Sequence, residues 1–502
     1  MCNQTRMVSG GRRSHRNGRK LVLIGILAGR SAQLVISLLM LRAATSLLSP
    51  EEMGKIALIV ATVAFYSMFL INPIGTFINR RLHAWSNSGF ANTYLLYYCF
   101  YIIIVSLFPA ISLPIIIGFS GIEFGVNGFL LTFVVCVSLI ANTANQTVIP
   151  SLNLLGYSYL FLVLSILTLV VGFAFALVFV ELYGPLAHHW LLGLIIGQAA
   201  LAAVGAILLV KKNKRNASSK QKKPGRAHFV LLYGFAWPVA VSAGLGWVQS
   251  QGYRYIVSNW VGLDQLGLFV AGFTVSVGII SGVESVLTAY LQPKLFRDAN
   301  SVSGVKRNEA WSLYASTIVP PLLVTAALVV GLAPELTRLL LGERFYPAAS
   351  FVVWGALVEA SRALFGVYTL AAHVRMNTRA LIVPSAIGAA LSLVLCMSMV
   401  PSWGLLGAGA AITLSGLAGL TAMQLSLIHQ SGPILSSKAV WRGLLMATML
   451  VTAGYAIRGV VGSESLMQQM ATVGLTGAVF AALQFLLLRH HLVVRTVDGT
   501  KQ

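Results

Sequence analysis

Three arginines stand inside apolar runs, where a charge is expensive: Arg30 in VLIGILAGRSAQLVISLL, Arg254 in WVQSQGYRYIVSNW and Arg362 in LVEASRALFGVY. A charge at the centre of a spanning helix costs about 2.5–3.5 kcal/mol on insertion scales, so each is a functional candidate. A guanidinium is a planar fork of donors that grips a phosphate through two parallel hydrogen bonds, which an ammonium cannot do. The lysines are kept to the ends of the apolar runs or outside them. The type of cation therefore agrees with its position in pointing to a phosphate-like anion. Trp247, Ser250, Gln251 and Arg254 follow the i, i+3, i+4, i+7 pattern of one helix face and are expected to face water. Arg30 lies about 15 Å into its run at a 1.5 Å rise per residue. Arg42, further along, has two readings, a member of the same site or a side chain reaching the headgroups.

Carboxylates and amides accompany them. Glu284 has no partner near it in sequence, whereas Glu359 and Arg362 are three apart and can pair. That pair reads either as a salt bridge that makes the helix insertable or as part of a site. Glu284 and Glu359 are the candidates for ion coupling, by loading and releasing a proton. Asn142, Asn145 and Gln146 share one face of their run and suit a sugar-facing wall or an interhelical bond equally.

The elements that must position these residues are membrane helices. With 57% hydrophobic and 10% charged residues and a mean hydropathy of +0.82, the 502-residue chain is an integral membrane protein. Fourteen runs are long enough to span, near 21–48, 55–78, 93–119, 125–148, 157–180, 190–210, 229–259, 266–290, 311–333, 349–373, 379–400, 404–429, 441–461 and 467–488. Twelve result if the last pair is discounted. The runs are continuous, unlike the alternating strands of a membrane barrel, so the expected class is all-α.

A net charge of +22 could suggest nucleic acid, but its placement gives another account. Lys and Arg crowd the segment before residue 21, the stretch KKNKRNASSKQKKPGRAH and every second connection after it. The alternate connections, among them SPEEMGK, ELYGPLAHH and VGLDQ, are acidic. By the positive-inside rule both termini are cytoplasmic, and the charge is a topology signal. The N-terminal apolar run is too long for a cleaved signal and is expected to stay as the first helix. Cys2, Cys99, Cys136 and Cys396 are scattered, so neither a disulfide nor a metal site is expected. His188–His189 and His490–His491 read as interfacial pairs. The only Gly-Lys, Gly54–Lys55, lacks the rest of a phosphate-binding loop, so no nucleotide or other cofactor is expected.

A weak repeat orders the runs. LLSPEEMGKIAL and WVGLDQLGLFVA align Gly54 with Gly267 at an offset of 213, and VELYGPLAHHWLLGLIIG and VPSWGLLGAGAAITLSG align Gly184 with Gly404 at 220. Two halves of six spans share orientation. The expected organisation is a basic N-terminus (1–20), a first lobe (21–210), a basic cytoplasmic linker (211–228), a second lobe (229–429), two extra helices (441–488) and a cytoplasmic tail (489–502).

The segments LLSPEEMG, YRYIVSNWVGLDQLGLF, LLGERFYPAAS and VPSWGLLGAGAAITLS resemble those of polysaccharide and O-antigen flippases in the multidrug/oligosaccharidyl-lipid/polysaccharide (MOP) exporter superfamily. The resemblance implies two six-helix lobes around a central cavity, usually with two further helices. It also implies transfer of an undecaprenyl-pyrophosphate-linked oligosaccharide across the inner membrane by alternating access, alongside a polysaccharide polymerase and chain-length machinery. Coupling to protons, sodium or the membrane potential is open, and no ion site carries over by motif. A multidrug antiporter of the same superfamily is the alternative and should have an acidic cavity; by count this one has three arginines against two glutamates. A membrane glycosyltransferase or polymerase would need a large outer loop with carboxylates, and the longest outer connection is about ten residues.

Overall fold

The computed structural model describes residues 6–78, 91–120, 124–213, 226–300, 304–374, 378–429, 436–462 and 465–498. These residues are helical throughout, joined by short turns, with no strand among them. The first half consists of α1 (Arg6–Leu47), α2 (Pro50–Ile78, through a π turn at Ser67–Ile71), α3 (Ala91–Leu107), α4 (Pro109–Ser120), α5 (Gly128–Leu154), α6 (Ser158–Tyr183) and α7 (Ala187–Asn213). The second half consists of α8 (Arg226–Gln251), α9 (Tyr253–Trp260), α10 (Leu263–Asn300), α11 (Gly304–Gly331), α12 (Ala333–Leu340), α13 (Ala349–Val374) and α14 (Ile382–His429), and α15 (Ser437–Val461) and α16 (Leu466–Asp498) follow.

Eleven helical stretches among the described residues are each long and apolar enough to cross a bilayer. One of them, α14, turns at Gly404 (φ 54°, ψ −132°) and holds two passes. With the apolar parts of α1 and α8–α9, this gives the fourteen passes expected. The chain is thus a multi-pass membrane protein with two six-helix lobes in parallel repeat and two added helices. Most of the segment 211–228 lies outside the described residues.

Both glycine pairs of the repeat hold matching places. Gly184 (φ 101°) and Gly404 (φ 54°) each make a turn in the left-handed region that disfavours a side chain. Gly54 and Gly267 lie where α2 crosses α10. A Cβ on Gly54 would sit 2.0 Å from the Leu263 carbonyl oxygen, and one on Gly267 would sit 1.8 Å from that of Pro50. Each glycine thus meets the carbonyl four residues before the other, and the two backbones touch as only small residues allow. The largest buried cluster gathers here from both lobes, with Leu48, Leu58 and Ile59 against Val257, Phe269 and Phe345.

The start of α2 is built for this place. Ser49 caps it by accepting from the Glu52 N–H (3.3 Å), and Pro50 follows at the first helical position. The buried Glu52 carboxylate takes Lys55 Nζ at 2.7 Å and the N–H of Ala187, at the start of α7, at 2.6 Å. This is the acidic end of the bundle, where Glu51 and Glu52 of α2 and Asp264 of α10 begin their helices.

The added helices pack on α11 and α12. Arg458 of α15 donates from Nε and Nη2 to the two oxygens of Glu335, both at 2.6 Å, and from Nη2 to the Gly331 carbonyl at 2.8 Å. The Glu335 side chain is 2% exposed, so removing its partner strands a buried charge. Arg458→Ala should therefore destabilise the protein by about 3–5 kcal/mol. Glu335→Leu with Arg458→Met should recover most of that loss, measured as Tm in detergent.

Candidate functional site

A cavity of about 830 Å³ lies in the second lobe and touches the first at one residue. Met68 of α2 is its contact with the first lobe, and the rest of its wall comes from the second half of the chain. Five residues singled out in the sequence meet there: Ser250, Gln251 and Arg254 from α8–α9, and Glu359 and Arg362 from α13. Three of the four residues on the helix face expected to meet water line the cavity, and Trp247 does not. That indole packs edge-on against Phe65 and donates from Nε1 to the Ala61 carbonyl at 2.8 Å.

The charges divide into two groups. On α13, Arg362 Nη2 lies 2.8 Å from Glu359 Oε1 and also bonds Glu284 of α10. Glu284, expected to be without a partner, is thus paired across 78 residues of sequence. Glu359 is 4% exposed at its side chain and Glu284 19%, while Arg362 is 48% exposed. Two carboxylates share one guanidinium, which leaves the trio one negative charge in excess when both are ionised. Arg254 stands apart. Its Nη1 donates to the Ala57 carbonyl of α2 at 3.0 Å, its Nε is buried without a partner, and among the described residues no carboxylate pairs with it. Gln251, beside it, also has a buried and unbonded Oε1.

The remaining candidates lie elsewhere. Arg30 bonds Gln33 Oε1 at 3.3 Å and sits 5.8 Å from the Phe161 ring, outside the cavity wall, because depth along a helix does not fix the face a side chain takes. Arg42 donates to the Arg338 carbonyl at 3.1 Å, at the C-terminus of α12, and is not part of the cavity wall. Asn145 takes the interhelical reading, donating to Thr168 Oγ1 and to the Gln198 carbonyl, both at 3.2 Å. Gln146 donates to Asn142 Oδ1 at 2.7 Å within α5. The count of three arginines against two glutamates is accordingly replaced by two arginines, Arg254 and Arg362, and one glutamate, Glu359, in the cavity wall, with Glu284 paired to Arg362 outside it. Sequence reasoning missed Gln249, Thr274, Ser281, Ser361 and Ser385 in the wall. Thr274, Val277 and Ser281 do share one face of α10 at i, i+3 and i+7, and that signal was available. Among the described residues no three His, Cys, Asp or Glu side chains gather as a metal site requires.

No protein-family sequence model matches the chain, and no curated protein matches it by sequence. Solved structures do match. The lipid II flippase MurJ, in an inward closed conformation, aligns with a TM-score of 0.58 at 13% identity, over 94% of this chain and 99% of its own. An inward-facing multidrug-resistance MATE transporter of the MOP superfamily aligns at 0.58 and 13% identity, over 82% and 98%. A MOP superfamily transporter from Pyrococcus furiosus, described as having a binding pocket of reversed polarity, aligns at 0.57 and 14% identity, over 82% and 94%.

The chain has the fold of MOP superfamily transporters. Residues 1–436 are about 87% of its 502 residues, so the 94% match to MurJ runs into α15 and α16. The 82% matches to the two other transporters fall short of that length.

The trio generates a prediction. Arg362→Ala leaves the buried Glu359 and its neighbour Glu284 facing each other unpaired, and should lower Tm sharply. Adding Glu359→Gln removes one of the two charges and should restore most of the stability. If the double variant also restores transport, Arg362 is a structural partner of Glu359; stable protein with transport still lost would mark it as a cargo contact.

Proposed function

We propose that the chain is a flippase. It moves an anionic lipid-linked oligosaccharide, carried on undecaprenyl pyrophosphate, from the inner to the outer leaflet of the bacterial cytoplasmic membrane by alternating access, for surface polysaccharide export. The observation that carries this reading is Arg254: a guanidinium in the cavity wall with an unpartnered Nε and, among the described residues, no carboxylate paired with it. A half-buried cation with a buried, unbonded donor and no counter-ion is costly unless an anion visits it. A pyrophosphate supplies that anion and accepts from the fork with two oxygens. Ser250 and Gln251, beside Arg254 in the wall, are suited to sugar hydroxyls, and the apolar wall residues Met68, Val277 and Phe365 to the first part of a lipid chain.

The basic end faces the cytoplasm in this reading, with both termini there. An interior-negative potential then favours outward movement of the pyrophosphate by roughly 2.3 kcal/mol per charge per 100 mV. Glu284 and Glu359 are the groups on which proton or sodium coupling would fall. A polymerase and chain-length machinery would take the product at the outer face.

The negative excess of the Glu284–Arg362–Glu359 trio favours a second reading, a cation-coupled multidrug antiporter. Deletion decides between them. The flippase reading expects lipid-linked oligosaccharide to accumulate on the cytoplasmic face with drug susceptibility unchanged; the antiporter reading expects the reverse.

Arg254→Ala should reduce surface polysaccharide about tenfold or more, the factor that goes with one hydrogen bond to a charged group, while the protein still inserts. Arg254→Lys should rescue in part, because it keeps the charge and loses the fork. Normal export in Arg254→Ala would remove the cargo role. For topology, Ser218→Cys in the basic linker should resist an impermeant thiol reagent in intact cells and react after lysis.

A further inference from the structure

Arg254 has a second contact that its place in the cavity does not require. Its Nη1 donates across the lobes to the carbonyl of Ala57 on α2. Ala57 lies three residues, one helical turn, inward from Gly54, the glycine pressed against Leu263 at the acidic end. Two neighbours bridge the same seam. Trp247 Nε1 donates to the Ala61 carbonyl at 2.8 Å, and the Tyr255 hydroxyl lies 2.8 Å from Thr62 Oγ1. Of the three, Arg254 alone lines the cavity. Gly252, between α8 and α9, keeps right-handed helical dihedrals (φ −58°, ψ −34°) and bonds the Val248 carbonyl at 3.1 Å, so Trp247, Arg254 and Tyr255 are carried to the seam by one continuous helix.

We infer that Arg254 is the latch of the acidic end, and that an anion entering the cavity releases it. This rests on the flippase reading for the identity of the anion, but not for the latch itself. The Ala57 carbonyl is a neutral acceptor. A phosphate carries charge and can accept from the fork with two oxygens at once, so the two acceptors compete unequally for one guanidinium. With the cavity empty, the arginine holds α9 to α2, and the glycine crossing one turn away stays shut. With an anion bound, the guanidinium turns to it, the seam loses a bond, and the closed arrangement is weakened at its cavity-facing edge. Arg254 acts here as a positioning residue, through α2.

The test reads access from the acidic end at Thr274, an exposed wall residue of α10 about 16 Å in from Leu263 at 1.5 Å per residue. Thr274→Cys is placed in the full chain with Cys2, Cys99, Cys136 and Cys396 changed to alanine. It is labelled with an impermeant thiol reagent in membrane vesicles sealed with the basic end inside. Arg254→Ala should speed labelling about fivefold, the bias one ordinary hydrogen bond gives a two-state equilibrium, and Arg254→Lys, which keeps a donor, should stay near the parent rate. Loading the vesicles with inorganic pyrophosphate should speed labelling of the parent and leave Arg254→Ala unchanged. Trp247→Phe, which removes a seam bond without touching the cavity charge, should keep the pyrophosphate response, which a merely structural seam would not single out. Unchanged labelling in Arg254→Ala overturns the latch whatever the cargo proves to be. A parent that does not respond to pyrophosphate, or a response that survives in Arg254→Ala, overturns its release by the anion. Loss of the flippase reading is registered separately, by surface polysaccharide, and does not alter the first result.

Discussion

Where α2 crosses α10, two backbones meet with no side chain between them. Gly54 lies on the Leu263 carbonyl and Gly267 on that of Pro50, each closer than any Cβ would permit. In a bilayer helices gain little from hiding apolar surface from one another, since lipid tails are equally apolar, so close backbone approach and interhelical hydrogen bonds carry the association. The crossing supplies the first. The bonds from Arg254, Trp247 and Tyr255 to α2 supply the second. Together they shut one end of the bundle and leave the cavity further along the same helices.

The buried carboxylates obey a simple rule that Arg254 does not share. Glu52 is buried and met by Lys55 and a helix N-terminus. Glu335 is buried and gripped on both oxygens by Arg458. Glu359 and Glu284 divide Arg362 between them. Each of these carboxylates finds a cation inside the protein, as a charge removed from water must, although Glu359 Oε1 makes no hydrogen bond. Arg254 has no such counter-ion among the described residues: a backbone carbonyl takes one of its donors, and Nε is left without a partner. Structural charges are answered by the fold, and a charge that is not answered is available to something else.

Hydropathy and the repeat made most of the architecture readable. Fourteen apolar runs became fourteen passes because a spanning helix must satisfy its own backbone, so its length shows directly in the sequence. The offsets of 213 and 220 picked glycines that share a task, because a turn in the left-handed region and a contact without a side chain both exclude other residues. The site was readable only where its members share a helix face, as Ser250, Gln251 and Arg254 do. Arg30 misled because its depth is legible and its direction is not. Glu284 looked solitary because its partner comes from a helix 78 residues away, and Asn145 was ambiguous because Thr168 and Gln198 stand on two other helices. Arg458, near the end of a run, gave no sign of its ion pair across 123 residues.

The two halves agree at the crossing and diverge at the cavity. Shifted by 213, Arg254 falls on Leu41 and Glu284 on Ile71, both buried apolar residues of the first lobe. The repeat thus supplies a symmetric seam, and the second lobe alone carries the charges that face the cavity. In a symmetric cavity an anion would be held equally by both lobes and would oppose their separation. In the flippase reading proposed above, the charged groups offered to the anion, Arg254 and Arg362, belong to one lobe, so the anion would stay with that lobe while the other moved away. Arg254 lies where these two properties meet, since its helix belongs to the charged lobe and its acceptor, Ala57, to the uncharged one. An anion drawing on that guanidinium therefore strengthens its hold on the second lobe by weakening the second lobe's hold on the first.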